Sequence, residues 1–303
     1  MDWILGLILS GASSVSAMPI NPCHAELTGQ PRKVKSVTED NISVVNPAGK
    51  TRTLIFVPGG PGLGFDYLPA YFKQLANHYR LVFYNPGYSF GFKAAGLDRL
   101  TAELRELTER AGGDVVGFVS HSGGTLILTR FFEKYGAQPA AVISGVTDME
   151  WVEIYMKENP TAHNAGERLQ AANVAVRDTV VKLRNRMLNY VNDYFPPMTR
   201  ALGVQLFDHN RYFPEIASGV EKELAEGVST TESFACARAP LLLLGGRQDR
   251  VIYPSYTQEL CSRRAYETEI HIVENAGHFG FVDAPETYNQ LLIEFFKRNE
   301  GRK

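Results

Sequence analysis

The sequence predicts an α/β protein with a mostly parallel central sheet flanked by helices and a helical insertion late in the chain. Three observations predict it. Short apolar runs alternate with amphipathic stretches from Thr51 to Ser144. One of these runs passes into a helix through the small residues Ser120-His121-Ser122-Gly123-Gly124. From about Asp148 to Ser233 strands cease, and they resume at Leu241-Leu242-Leu243-Leu244.

Residues 32–37 and 41–46, split by Glu39-Asp40-Asn41, read as a hairpin. Thr51 to Val57 is a strand rising into the core, and it ends in the glycine-rich loop Pro58-Gly59-Gly60-Pro61-Gly62-Leu63-Gly64. Leu68 to Leu75 reads as helical, Arg80 to Tyr84 as a strand and Asn85-Pro86-Gly87 as a turn. Leu97, Leu100, Leu104 and Leu107 fall three and four apart with charges between them, the pattern of a helix with one core face. Val115, Val116, Phe118 and Val119 form the next strand, Leu126 to Phe132 the helix after it, and Ala140 to Ser144 a further strand. In the insertion Trp151 to Met156, Glu167 to Tyr194 and Glu215 to Ala225 read as helices, with Pro196-Pro197 as a break. The chain closes with helix Pro254 to Arg264, strand Glu269 to Val273 and helix Pro285 to Arg298. The organisation is therefore a core at 18–148 and 234–303 and a helical cap at 149–233.

The chain has 303 residues, 44% hydrophobic and 21% charged, which suits one globular core with an insertion. A net charge of −2 and the absence of any Lys/Arg run argue against nucleic acid or an anionic membrane surface as partner. No apolar run approaches the ~20 residues that span a bilayer. Residues 1–17 have a short apolar core from Trp3 to Leu9, followed by Val15-Ser16-Ala17, which resembles a signal-peptidase site. Asp2 and the lack of Lys or Arg before that core depart from the pattern, and Met18 offers a second start. An export signal is the favoured reading and places the protein outside the cytoplasm (secreted or periplasmic); a start at Met18 makes it cytoplasmic. Of the three cysteines, Cys236 and Cys261 fall at the same sheet edge, where a bridge and two separate thiols are both allowed.

The turn at Ser122 carries the chemistry. A sharp passage from strand to helix holds the central residue in strained backbone geometry, so only small neighbours fit. The helix N-terminus then directs free N–H groups at charge forming beside the hydroxyl. A serine hydroxyl needs a base, and the base needs an orienting group. Of seven histidines, His278 is singled out by its position in Glu274-Asn275-Ala276-Gly277-His278, directly beyond the last strand. His271 lies within that strand and reads as structural, as does His121, the residue before Ser122. Asp249 follows the Leu-rich strand in Gly245-Gly246-Arg247-Gln248-Asp249 and is the first choice of acid; Asp148 is the second. An oxyanion would find donors in the N–H of Gly123 and of Gly60, since Pro61 has none. The glycines at 59, 60, 62 and 64 do not fit G-x-G-x-x-G, and neither a phosphate loop nor a metal spacing occurs, so no cofactor or metal is implied.

These blocks resemble the α/β-hydrolases, and among them the proline iminopeptidases and related serine hydrolases. Gly59-Gly60-Pro61-Gly62 with Asp66-Tyr67-Leu68, Ser122-Gly123-Gly124-Thr125, Gly246-Arg247-Gln248-Asp249 and Ala276-Gly277-His278 follow that family's order over residues 50–148 and 235–298. The resemblance implies an α/β-hydrolase fold with a Ser122, Asp249, His278 triad and an oxyanion hole at Gly60 and Gly123. It implies attack on a small amide or ester, taken as a small molecule or short peptide. Pro58 stands where the signature has His, and Asn85-Pro86-Gly87 where it has Asp-Gln-Arg-Gly. His209 stands where some members carry a Glu that binds the substrate's amino terminus, so Asp208, Glu153 or Glu232 would have to supply that charge. Release of an N-terminal residue is the activity the resemblance implies first, and hydrolysis of a carboxylic ester or lactone is the alternative. A binding protein without turnover is the reading from another class, against which the intact Ser122, Asp249 and His278 argue.

Overall fold

The computed structural model describes residues 41–111, 114–158 and 176–301. Strands β1 (Ile42–Val45), β2 (Arg52–Val57), β3 (Arg80–Tyr84), β4 (Asp114–His121), β5 (Ala140–Ile143), β6 (Leu241–Gly246) and β7 (Thr268–Val273) form one sheet in the order β1-β3-β2-β4-β5-β6-β7. Only the β1–β3 pair is antiparallel, with Ile42 opposite Tyr84. The rest run parallel, with Val57 beside Ser120 and His121 beside Ile143. β1 occupies the second half of the expected hairpin but pairs with β3; the expected first half, 32–37, lies outside the described residues, as does the export-signal reading of 1–17.

The order reverses at one point. From β2 the chain moves outward to β3, then crosses back to β4 on the other side of β2. The loops leaving β2 and β4 therefore diverge at the carboxyl edge of the sheet, where such a reversal opens a crevice. Alternate residues of the strands feed two cores. Ile55, Val57, Val82 and Leu243 pack on one face against α1 (Leu97–Arg110), α2 (Gly124–Tyr135) and α9 (Pro254–Ser262). Leu54, Phe56, Leu81 and Leu242 pack on the other, against α10 (Gly280–Asp283) and α11 (Pro285–Arg298). The inner strands β2, β3, β5 and β6 are buried on both sides along most of their length, which is why they read as unbroken apolar runs.

The insertion is helical: α3 (Glu150–Glu158), α4 (Thr179–Asn189), α5 (Val191–Tyr194), α6 (Arg200–His209), α7 (Pro214–Ala225) and α8 (Thr231–Cys236), the last leading back to β6. Asp178 caps α4 by accepting from the N–H groups of Val180 and Val181, so the helix expected from Glu167 begins at Thr179 within the described residues. α6 was not expected, because Pro196-Pro197 and Gly203 mask its pattern; Gly203 is required, since a Cβ there would lie 2.4 Å from Phe195. The helix expected at Leu68 to Leu75 is a series of short 3₁₀ turns, Phe65–Tyr67, Pro69–Tyr71 and Leu75–Asn77. Pro69 breaks the N–H ladder, and the buried residues Leu68, Phe72, Leu75, Ala76 and Tyr79 do not keep to one helical stripe. Cys236 and Cys261 are thiols. Among the described residues no helix is long and apolar enough to cross a membrane.

Candidate active site

Four loops at the carboxyl edge of the sheet supply the site. β4 ends at His121, and Ser122 follows at φ +48°, a left-handed conformation unusual for a residue with a side chain. The neighbouring parallel strand accommodates it, since the Ser122 N–H donates to the Ile143 carbonyl at 2.9 Å. The small residues around the turn are a steric requirement. A Cβ on Gly124 would sit 2.4 Å from the Pro58 carbonyl oxygen, and one on Gly123 2.4 Å from that of Gly60. The loop after β2 and the turn after β4 thus touch backbone to backbone. The N–H groups of Gly60 and Gly123 donate to no acceptor among the described residues. Gly60 lies at φ +126°, where a Cβ would come 2.6 Å from the Gly62 nitrogen.

Asp249, in the loop after β6, is buried and fully engaged. One oxygen, Oδ1, accepts from the backbone N–H groups of Val251 at 2.9 Å and Ile252 at 2.8 Å; the other, Oδ2, lies 3.0 Å from His278 Nδ1. A carboxylate only accepts, so Nδ1 carries the hydrogen and Nε2 is the imidazole's free basic atom. His278 lies beyond β7, and its own N–H donates to the Tyr194 carbonyl of α5 at 2.8 Å. Ser122, His278, Gly60 and Gly123 all line one cleft.

The second-choice acid, Asp148, is buried elsewhere: it accepts from the Glu150 N–H at 2.8 Å, from the Tyr256 hydroxyl at 3.1 Å and from the Thr231 hydroxyl. These bonds close the neck of the cap and leave His278 to Asp249. His121 is buried at the edge of the cleft, bonded to Tyr67 and to the His278 carbonyl.

None of the cap residues expected to contact substrate, Asp208, His209, Glu153 and Glu232, lines the cleft. Asp208 pairs with Arg184 at the surface, His209 Nδ1 lies 2.7 Å from the Gln205 carbonyl, and Glu153 and Glu232 are exposed. The cap presents instead Glu221 and Arg186, an ion pair at 2.7 Å, both mostly buried and both lining the cleft. Their signal was present in the sequence. Ala217, Val220, Glu221 and Leu224 share one face of α7, and Leu183, Arg186 and Met187 one face of α4, so each charge interrupts an apolar stripe. The remaining wall is apolar, with Leu126, Val146, Trp151, Leu224, Val251 and Ile252. Among the described residues no cluster of His, Cys, Asp and Glu could hold a metal ion.

Comparison with known proteins agrees with this fold. Residues 54–291 match the model of the alpha/beta hydrolase family. No curated protein matches the chain. Among solved structures, the chain is similar to a proline iminopeptidase-related protein from Thermus thermophilus (20% identity, 84% of this chain and 92% of that one, TM-score 0.65). It is similar also to a proline iminopeptidase of Mycobacterium smegmatis (16% identity, 88% and 98%, TM-score 0.63). A third is a thermophilic esterase from Thermogutta terrifontis (16% identity, 85% and 93%, TM-score 0.61). At these identities the solved structures speak for the fold alone. With a family model covering most of its length and a sheet reversed at the crevice that holds Ser122 and His278, the chain belongs to the alpha/beta hydrolase family.

Proposed function

We propose that the protein is a serine hydrolase that transfers an acyl group to water through a covalent enzyme intermediate. The observation that carries this reading is Ser122 on its left-handed turn, sharing a cleft with His278, whose Nδ1 is held by Asp249. The Ser122 hydroxyl attacks a carbonyl carbon while His278 Nε2 takes its proton; the imidazolium so formed is stabilised by Asp249 and protonates the leaving group. The N–H groups of Gly60 and Gly123, which have no acceptor among the described residues, receive the oxyanion. Water then repeats the sequence and frees the acid.

The apolar wall suits a small carboxylic ester or lactone with an apolar acyl part. A substrate ammonium would meet a Glu221 carboxylate whose charge Arg186 already offsets at 2.7 Å. Release of an N-terminal residue is the second reading, favoured by the presence of that carboxylate in the cleft and by the likeness to proline iminopeptidases. The experiment is a panel of short-chain esters, lactones and prolyl amides with wild type and Ser122→Ala. Turnover should fall by several orders of magnitude in the variant. Unchanged hydrolysis of the best substrate by Ser122→Ala overturns the assignment, and preference for prolyl amides over esters reverses the order of the two readings.

A further inference from the structure

Beneath the cleft runs a chain of hydrogen bonds that the proposed reaction does not use. The Gly59 N–H donates to the Tyr67 hydroxyl at 2.6 Å; that hydroxyl lies 2.9 Å from His121 Nδ1; and His121 Nε2 lies 3.1 Å from the His278 carbonyl oxygen. The two ends set every proton between them. A backbone N–H can only donate and a carbonyl can only accept. His121 must therefore carry its hydrogen on Nε2. With one Tyr67 lone pair taken by Gly59, the phenolic hydrogen turns to Nδ1, which accepts it as the bare nitrogen of a neutral imidazole. The opposite arrangement would require an imidazolium with no carboxylate bonded to it, fully buried among the rings of Tyr67, Phe279 and Phe281. Burial first, and His278 nearby second, hold His121 far below the usual histidine range, so this tautomer persists at working pH.

The route of the chain gives it meaning. It begins at the residue before Gly60, passes through the residue before Ser122, and ends on the backbone of His278. Space is reserved for it, because a Cβ on Gly59 would stand 2.7 Å from His121 Nδ1. We propose that Tyr67 and His121 are positioning residues, a buried strut that sets the spacing between the oxyanion donor of Gly60 and the base His278 on either side of Ser122. Tyr67 does not line the cleft, and His121, which forms part of its lining, takes part in no step of the proposed reaction. Its contribution rests on the hydrolase reading above and is a matter of geometry, in which displacements of the order of 1 Å cost about a hundredfold in rate.

The test uses Tyr67→Phe, His121→Leu, the double variant and His121→Gln. For each, kcat and KM on a short-chain p-nitrophenyl ester, the rate of Ser122 labelling by an alkyl fluorophosphonate, and the thermal midpoint are measured. Tyr67→Phe keeps the ring and removes only the hydroxyl, so it reads the strut even if His121→Leu fails to fold. The expected result is a loss of about 10- to 100-fold in kcat and labelling rate at nearly constant KM for each single variant. The double variant should be no slower than the worse single, since each breaks the same chain. His121→Gln, which restores a donor toward the His278 carbonyl, should regain part of what His121→Leu loses. Folded variants with wild-type kcat, losses that multiply in the double variant, or a change confined to KM overturn the strut while leaving the hydrolase reading intact. Wild-type protein that neither labels nor turns over any ester or amide removes both.

Discussion

Asp249→Asn separates the role of the carboxylate's charge from that of its shape. Asp249 spends Oδ1 on two backbone donors, Val251 N–H at 2.9 Å and Ile252 N–H at 2.8 Å, and Oδ2 on His278 Nδ1 at 3.0 Å. An asparagine keeps the first two bonds only by placing its oxygen on that side, because the opposite flip would set its NH₂ against two N–H donors. The NH₂ then faces His278 Nδ1 and can only donate to it. Nδ1 must become the acceptor, and the ring hydrogen moves to Nε2, the atom that takes the Ser122 proton in the proposed reaction. All three contacts survive, so the fold should be retained, yet the base is in the wrong tautomer. A swap of this kind is worth about ten-thousandfold in kcat, or about 5.5 kcal/mol of barrier. The assay is kcat on the best substrate from the panel, with circular dichroism and a thermal midpoint to establish folding. A folded Asp249→Asn enzyme keeping more than a tenth of wild-type kcat would mean that His278 does not act as the base oriented by Asp249.

Two further perturbations test other parts of the molecule. Glu103 on α1 is buried and accepts from the N–H groups of Gly87 at 2.6 Å and Ser89 at 2.9 Å; burial raises its pKa to about 7, the backbone donors opposing the shift. Because the folded value lies above the unfolded one, its contribution to stability is complete below about pH 4.5 and lost as pH rises through 7. The unfolding free energy of Glu103→Gln relative to wild type should therefore move by ~3 kcal/mol in favour of the variant over that window; urea titrations at pH 5 and 8 that show a constant difference refute it. Glu221→Gln leaves the Arg186 guanidinium in the cleft without the carboxylate 2.7 Å away. Selectivity should shift toward acyl chains ending in a carboxylate by about ten- to a hundredfold in kcat/KM, or ~1.4–2.8 kcal/mol, measured on a succinate monoester against a butyrate ester. An unaltered ratio would show that the pair does not contact the acyl group.

What could be read from the sequence, and what could not, follows the range of the interactions. The strand–turn–helix at Ser122 was legible because its causes are local: apolar β4, glycines where backbones meet, and an apolar helix after them. Asp249 and His278 were legible because each directly follows a strand in a parallel sheet, and the carboxyl edge is common to all of them. The cap resisted for the opposite reason. Nothing within α7 says that Glu221 faces Arg186 of α4, thirty-five positions earlier in the chain; only the docking of the two helices decides it. Asp208, His209, Glu153 and Glu232 are marked only by a motif position and by charge, and both are silent about which face of a helix looks inward. His121 could be recognised as buried, but its bond to Tyr67 joins residues fifty-four apart and could not be.

The way the cap is attached leaves its inward side chains free to vary without disturbing the loops of the core. On one side of the cleft the Gly64 N–H donates to the Arg211 carbonyl at 2.9 Å and the Phe213 N–H to that of Gly62 at 2.8 Å, with Asp66 clamping the Arg211 guanidinium. On the other side the Tyr194 carbonyl accepts from His278 at 2.8 Å and the Asp193 carbonyl from Arg250 at 3.2 Å. At the neck the Thr230 N–H meets the Thr147 carbonyl at 2.7 Å. Most of these seams are backbone to backbone, and they hold whatever side chains the cap carries. Their demand falls on the core, where glycine is needed at 62 and 277, because a Cβ there would stand 2.7 Å from the Phe213 carbonyl oxygen and 2.5 Å from that of Tyr194. A cap fastened in this way can change the residues that face the cleft, here Trp151, Arg186, Tyr190, Glu221 and Leu224, without moving the loops that bear Ser122, Asp249 and His278. Substitutions that alter substrate preference while leaving the triad geometry intact should therefore fall on the cap's inward faces.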